Sequence, residues 1–347
     1  MGAGNRPQPM PANLTPDYKA AEAAYRAARE PRERLECLRE MLRTIPKHKG
    51  TDHLQADIKG RIAELTEELT AARRGATRTG PPTVIRPEGA AQIALLGPPN
   101  SGKSSLHHAL THSHAAVGPY PFTTQYPHPG MLPFEDVAFQ LVDLPPVTAE
   151  HPVSWLANAL QPANGAFLVV DLSDPGCVDQ VLRLHQILAG RRAHLLPDWP
   201  RGVAPERHDA QDPFAIYLPT LLVAAKSDLV ADLDGELAVL RELTGLTYPV
   251  LAASASTGAG LDAVGPWLFA ALGVVRVYTK VPHRPADRSR PYTLRRGQTV
   301  HDVAVMVHKE VAGGLKHARL WGRGGAEGVQ VGRDHLLEDG DVLELHA

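Results

Sequence analysis

The chain has 347 residues, 43% hydrophobic and 21% charged, with a net charge of −2 at pH 7, which suits a soluble globular protein of two or three domains. No uninterrupted apolar run approaches the ~18 residues of a membrane span, and the N-terminal stretch lacks the apolar core of a secretory signal. Only two cysteines, Cys37 and Cys177, are present, which excludes a disulfide framework or a cysteine zinc site and leads us to expect a cytoplasmic protein with no membrane partner. The small net charge conceals an asymmetry. Residues 1–80 hold fifteen basic against eleven acidic side chains, residues 81–274 nine against eighteen, and residues 275–347 twelve against nine. Basic flanks around an acidic centre suit an acidic macromolecule, RNA first, or are ordinary solvated faces.

In chain order, residues 1–13 are rich in Pro, Gly and Asn and read as a disordered tail. Thr15-Pro16-Asp17 reads as an N-cap with proline at the first helical position, and an alanine-rich helix follows to Pro31. Leu35, Leu38, Met41, Leu42 and Ile45 form the apolar stripe of a second helix, and Leu54, Ile58, Ile62, Leu65 and Leu69 that of a third capped by Thr51-Asp52. Two amphipathic helices that each need a partner read as a helical hairpin within residues 14–75, with Gly75 to Pro82 as a linker.

From Thr83 the pattern changes. Short apolar runs at Ile93–Leu96, Phe139–Val142, Ala166–Val170, Thr220–Ala224 and Pro249–Ala252 alternate with helical segments, which predicts a mostly parallel sheet covered on both faces over residues 83–273. Leu196–Pro213 reads as a surface excursion. Residues 274–347 read strand (Val274–Thr279), strand (Tyr292–Leu294), helix (Thr299 to about Ala312), strand (Ala318–Trp321), strand (Asp341–Leu345). That is a small α+β domain of ubiquitin-like type.

The chemistry sits at the strand ends. Gly97-Pro-Pro-Asn-Ser-Gly-Lys-Ser104 follows the first strand and opens a helix at Ser104-Ser105, the setting of a phosphate-binding loop. Gly97 and Gly102 admit the backbone close to phosphate, with Pro99, Asn100, Ser101 and Ser105 completing the contact set. Lys103 supplies fixed positive charge, and the Ser104 hydroxyl faces Mg²⁺. Thr124, twenty residues on, is placed to complete the metal shell when a γ-phosphate is present. Asp143 ends a strand and is the third candidate Mg²⁺ ligand. The usual continuation Asp-x-x-Gly is here Asp143-Leu-Pro-Pro146, and proline has no N–H for the γ-phosphate. Lys226-Ser-Asp228 follows another strand; a buried Asp228 accepts from guanine N1–H and N2–H₂, donors that adenine lacks, while Lys226 lies along the base. Ala225 stands where an asparagine is usual. Ser254-Ala255-Ser256 follows the last strand of the set, where a backbone N–H can meet guanine O6.

These five motifs in order resemble a translation-factor-class GTPase of the Obg superfamily, and more closely the developmentally regulated GTP-binding (DRG) family. The closer likeness rests on Leu14-Thr-Pro-Asp-Tyr18, Met41-Leu-Arg-Thr-Ile-Pro-Lys-His-Lys-Gly-Thr51, Pro119-Tyr-Pro-Phe-Thr-Thr124 and Gly332-Arg-Asp-His-Leu-Leu-Glu-Asp-Gly-Asp-Val342. With Val277-Tyr-Thr-Lys280 and Ala318-Arg-Leu-Trp321, the last of these is similar to the TGS domain. The resemblance implies an α/β P-loop GTPase domain, an N-terminal helical hairpin and a C-terminal TGS domain. It implies slow hydrolysis of GTP to GDP and phosphate with Mg²⁺, and a role on ribosomes or in translation, through the basic N-terminal and TGS segments. Lys103, Thr124 and Asn100 are then the residues that carry hydrolysis. In relatives sharing Pro-Asn-x-Gly-Lys the asparagine helps hold K⁺, so Asn100 either does the same or braces the loop. Val147 stands where other GTPases carry a water-orienting glutamine, and the alternative is a non-hydrolysing, nucleotide-dependent RNA- or protein-binding module. Two further features remain. His107, His108, His112 and His114 read as a solvated helix face, with a zinc site as the lesser alternative. Arg284, Arg288, Arg290, Arg295 and Arg296 are placed for phosphate contacts to RNA.

Overall fold

The computed structural model describes residues 14–28, 31–46, 51–73, 83–112, 126–148, 153, 155–203, 212, 214–282, 284–322 and 327–346. The tail expected over residues 1–13, the linker Gly75 to Pro82, His114 and Thr124 lie outside the described residues. The chain divides into two compact units, residues 1–82 with 207–215, and residues 83–206 with 216–347.

The first unit is built from three helices, α1 (Pro16–Ala27), α2 (Pro31–Thr44) and α3 (Asp52–Arg73). Thr15 caps α1 by accepting from the Tyr18 N–H and donates its own hydroxyl to the Thr44 carbonyl, tying the start of α1 to the end of α2. The predicted hairpin is α2–α3, and α1 packs on α2 as a third helix. Their apolar stripes meet in one core of Tyr18, Tyr25, Leu38, Met41, Ile45 and Ile58, to which the distant Phe214 belongs. Phe214 meets Tyr25 edge-on at 5.8 Å, and the Arg61 guanidinium lies 4.1 Å from its ring centroid. The proline-rich stretch expected to be a surface excursion is thus followed at once by a core residue of the helical unit.

The second unit carries two sheets. Strands β1 (Ala91–Leu96), β2 (His128–Phe134), β3 (Val137–Asp143), β4 (Gly165–Asp171), β5 (Ala193–Leu196), β6 (Ile216–Ala225) and β7 (Val250–Ala252) form the larger one, in the order β2-β3-β1-β4-β6-β5, with β7 also paired to β6. Every pairing is parallel except β2 with β3. Alternation along each strand feeds two cores. Ala94, Leu96, Ala166, Leu168 and Val170 face α5 (Leu156–Leu160), α6 (Cys177–Gly190) and α7 (Leu233–Thr244), whereas Ile93, Leu95, Phe167 and Val169 face α4 (Lys103–Thr111) and α8 (Val264–Ala271).

The smaller sheet has the order β11-β10-β12-β8-β9, from β8 (Val274–Thr279), β9 (Asp287–Arg295), β10 (His317–Trp321), β11 (Glu327–Val331) and β12 (Asp341–His346). The helix expected from Thr299 to about Ala312 is two helices, α9 (Val300–Val307) and α10 (Lys309–Gly314). His308 adopts extended backbone between them and its Nδ1 accepts from the Glu310 N–H, which restarts the helix. Val300 and Val303 of α9 cover the sheet.

A buried cation helps to join the two sheets. Arg276 of β8 makes paired hydrogen bonds to the Asp339 carboxylate at 2.9 and 2.7 Å, and also reaches Asp136 at 2.8 Å and Glu135 in the β2–β3 turn. The Tyr278 hydroxyl donates to Asp136. The Arg276 guanidinium lies 5.0 Å from the Phe269 ring centroid. Arg295 donates to the Ala90 carbonyl at 2.8 Å.

Candidate functional site

β1 ends where the sheet order changes sides, with β3 on one flank and β4 on the other. That topology opens a crevice at the carboxyl end of β1. The loop 97–102 turns in this crevice. A Cβ on Gly97 would lie 2.4 Å from the Val169 carbonyl oxygen, so only glycine fits there. Gly102 opens α4 at φ +94°, and a Cβ there would touch the Ala225 methyl at 3.6 Å. The small residue at 225 therefore lets the loop approach the end of β6.

Lys103 is buried, and its Nζ donates to the carbonyls of Gly97 and Pro98 at 3.0 and 2.8 Å. Burial pulls its pKa down to about 8, against the opposing field of Asp143. The loop thus holds a desolvated ammonium that an anion would stabilise. Ser104 donates its hydroxyl to Asp143 Oδ2 at 2.6 Å. A hydroxyl and a carboxylate this close are hard oxygen donors of the kind Mg²⁺ takes, so the residues present fit that ion. Within the loop Ser101 is buried, whereas Asn100 is exposed with φ +59°.

The histidines divide differently from the sequence expectation. His108 and His112 are exposed, but His107 is fully buried and its Nε2 donates to the Leu141 carbonyl at 3.2 Å, linking α4 to β3. The predicted solvated face fails at this position because α4 turns that side toward the sheet. Among the described residues no group of three His, Cys, Asp or Glu could hold a metal ion.

On the other side of the loop, Lys226 takes a left-handed conformation at φ +53° directly after β6 and pairs with Asp171 at the end of β4, Nζ to Oδ2 at 2.6 Å. Burial acts to raise the Asp171 carboxyl, but hydrogen bonds from Lys226 and Ser173 prevail and hold it below the ordinary range. Asp228 is exposed rather than buried as expected. Hydrogen bonding from Ser254, and to a lesser degree from Ser256 (Oγ to Oδ2 at 3.1 Å), holds its carboxyl low, so it is an anion at neutral pH. Ser254 is buried and its Oγ lies 2.9 Å from that of Ser256. Gly102, Ser105, Ala225, Lys226, Asp228 and Ala255 are among the residues around a cavity of about 290 Å³ with an apolar floor at Leu106 and Ala253. A flat heteroaromatic ring fits such a floor, with one carboxylate at the rim to read its edge.

Most of the expected residues converge. Lys103, Ser104 and Asp143 meet at the loop, and Lys226, Asp228, Ala255 and Ser256 frame the cavity that the loop's far end borders, with Ser254 buried behind Ser256. Asp171 was not anticipated, although a carboxylate ending the strand run Ala166–Val170 was a visible signal. Of the basic segment, Arg284, Arg288, Arg290 and Arg296 are exposed, with Arg288 lying 5.6 Å from the Tyr278 ring centroid, while Arg295 is engaged with Ala90.

Residues 92–196 match the family described as 50S ribosome-binding GTPase, and residues 275–347 match the TGS domain. An uncharacterized GTP-binding protein of Halobacterium salinarum is 29% identical over 365 residues, an alignment that spans 91% of this chain and 98% of the relative. Developmentally-regulated G-protein 2 of Arabidopsis thaliana is 25% identical over 359 residues, spanning 88% of each chain. Among solved structures, a GTP binding protein from Pyrococcus horikoshii OT3 aligns with 74% of this chain and 99% of its own at 17% identity and a TM-score of 0.47.

Proposed function

The chain joins a GTPase-family domain to a TGS domain and has relatives among the developmentally-regulated G-proteins, and on that premise we propose that it binds GTP and GDP and hydrolyses GTP slowly. The observation that carries this reading is that the 290 Å³ cavity with Asp228 at its rim is also lined by Gly102 and Ser105, the residues that flank Lys103 and the Ser104–Asp143 pair in the chain. Asp228 accepts from guanine N1–H and N2–H₂. The Lys226 stem, steadied by Asp171, lies along the base. Lys103 turns from the Gly97 and Pro98 carbonyls to the outer phosphate oxygens, which restores the charge that burial weakens.

Ser104, Asp143 and Thr124 hold Mg²⁺, which when bound neutralises charge on the β- and γ-phosphates. Asn100 contributes an amide oxygen to a K⁺ ion, which supplies the positive charge an arginine would otherwise bring. The exposed arginines of the TGS segment and the basic N-terminal segment engage RNA on the ribosome, in the cytoplasm. Titration calorimetry with GTP, GDP and ATP tests the nucleotide claim: guanine nucleotides bind and ATP does not. Phosphate release in K⁺ and in Na⁺, with and without ribosomes, tests the rest; equal rates in the two salts would remove Asn100 from catalysis.

A second reading has its own support. Val147 is buried and Pro146 has no N–H, so neither a glutamine-type water contact nor the usual γ-phosphate amide exists there. A nucleotide-dependent binding module without turnover accounts for both, and phosphate release no faster than the uncatalysed rate would favour it.

A further inference from the structure

A groove of about 170 Å³ runs between the phosphate loop and the segment that follows Asp143, walled by Pro98, Pro99, Val147, Thr148, Arg183 and Ile187. The base cavity borders the opposite end of the loop, at Gly102 and Ser105. A nucleotide lying along the loop therefore turns its outermost phosphate toward this groove. A switch in that position needs a backbone N–H that engages the γ-phosphate and a segment free to move when the phosphate leaves.

Residues 143–147 lack the N–H at the usual contact position, Pro146, and are not free to move. Pro145 and Pro146 are buried, carry no N–H and have φ fixed by their rings. Leu144 and Val147, on either side of them, belong to the same hydrophobic core as Leu156, Leu160, Val181 and Leu184. Upstream, Asp143 is held in register between Leu95 of β1 and His128 of β2. Displacing the segment would take two core side chains into water and break the last strand pairings of β3. Close-packed interiors resist such graded movement.

We infer that residues 143–147 form a fixed wall: they contribute Asp143 to the metal site but do not change conformation between the GTP and GDP states, and Pro146 removes γ-phosphate discrimination from this side of the site. The inference rests on the guanine-nucleotide reading above and goes beyond it. The test uses the full chain with Mg²⁺ and either GDP or a slowly hydrolysed GTP analogue. Calorimetry comes first. Failure to bind either nucleotide sinks the guanine reading itself, and the wall with it.

With both bound, amide hydrogen exchange is followed in the peptide spanning 139–148, where Leu144 and Val147 report because the two prolines have no amide. Exchange in the two nucleotide states is expected to agree within about twofold. Protection by the analogue of about tenfold or more over GDP would overturn the wall while leaving nucleotide binding intact. Pro146→Gly gives back an N–H and backbone freedom, and is expected to raise the analogue-to-GDP affinity ratio about tenfold, the worth of one hydrogen bond to a charged group. An unchanged ratio would show that Pro146 does not set discrimination. If the variant does not fold, the exchange measurement on the native chain still decides.

Discussion

Single residues decide the chemistry at the loop. Lys103 is held by two carbonyls in a dry setting that lowers its pKa to about 8, so at pH 8 about half of the free protein carries a neutral amine there. A triphosphate favours the charged form, and binding at pH 8 should take up about half a proton. Calorimetry in two buffers of different ionisation enthalpy reads that number directly; a buffer-independent enthalpy would contradict it. The sign for stability follows from the same shift. Between about 8 and the ordinary lysine value of 10.5 the unfolded chain holds more protons at this site, so the free protein gains stability as the pH rises through that window. Val147 makes a second test. Val147→Gln places an amide in a core and should cost roughly 1–3 kcal/mol in unfolding free energy. It should bring no gain in turnover, because the side chain is held in the core with Leu144, Leu156 and Leu160 and is not free to orient a water. Faster phosphate release from this variant would contradict the buried placement. The identities of Lys103, Ser104, Asp143 and Asp228 were legible because each follows a strand in a fixed spacing. His107 and Asp171 were not, because their partners, Leu141 and Lys226, lie 34 and 55 residues away.

Elements differ in how plainly the sequence announces them. Interior strands β1, β4 and β6 were visible as unbroken apolar runs because both of their faces are covered. The strands that escaped are β2, β5 and β11, which stand at sheet edges. β2 contains Pro129 and Pro133, tolerable only where N–H groups need no second neighbour. β11 is five residues long and largely exposed, and its pattern is that of a loop. The same logic explains β9, of which only Tyr292–Leu294 was anticipated, since Asp287–Arg290 is charged and exposed. The phosphate loop itself depends on a contact between elements: Gly97 faces the β4 carbonyl of Val169. Gly97→Ala must push the loop away from β4, and the expected outcome is loss of nucleotide binding with the helical unit still folded. Circular dichroism beside nucleotide titration would check both, and retained affinity would contradict the close approach.

At the scale of the whole molecule, the joint between the two sheets includes Arg276, which no motif marked because its partners Glu135, Asp136 and Asp339 come from two distant turns. Burial acts to raise the Asp136 carboxyl, but hydrogen bonds from Tyr278 and Arg276 prevail and hold it below the ordinary range. That contribution is present above the unfolded carboxylate pKa and is lost as the pH falls through the lower folded value, below about pH 4. Arg276→Met leaves carboxylates without their cation and should destabilise this unit by roughly 3 kcal/mol. A double-mutant cycle with Asp136→Asn should then show strong coupling; additive effects would contradict the joint.

The functional account as a whole stands on Asp228 choosing the base, and one substitution addresses it most directly. Asp228→Asn keeps an oxygen for N1–H but turns the second acceptor into a donor, which matches the O2 of xanthine instead of the amino group of guanine. Calorimetric titration of the native chain and of Asp228→Asn with GTP and with xanthosine triphosphate should show GTP affinity falling by roughly a hundredfold and xanthosine triphosphate affinity rising in the variant. Undiminished GTP affinity in Asp228→Asn would contradict the account.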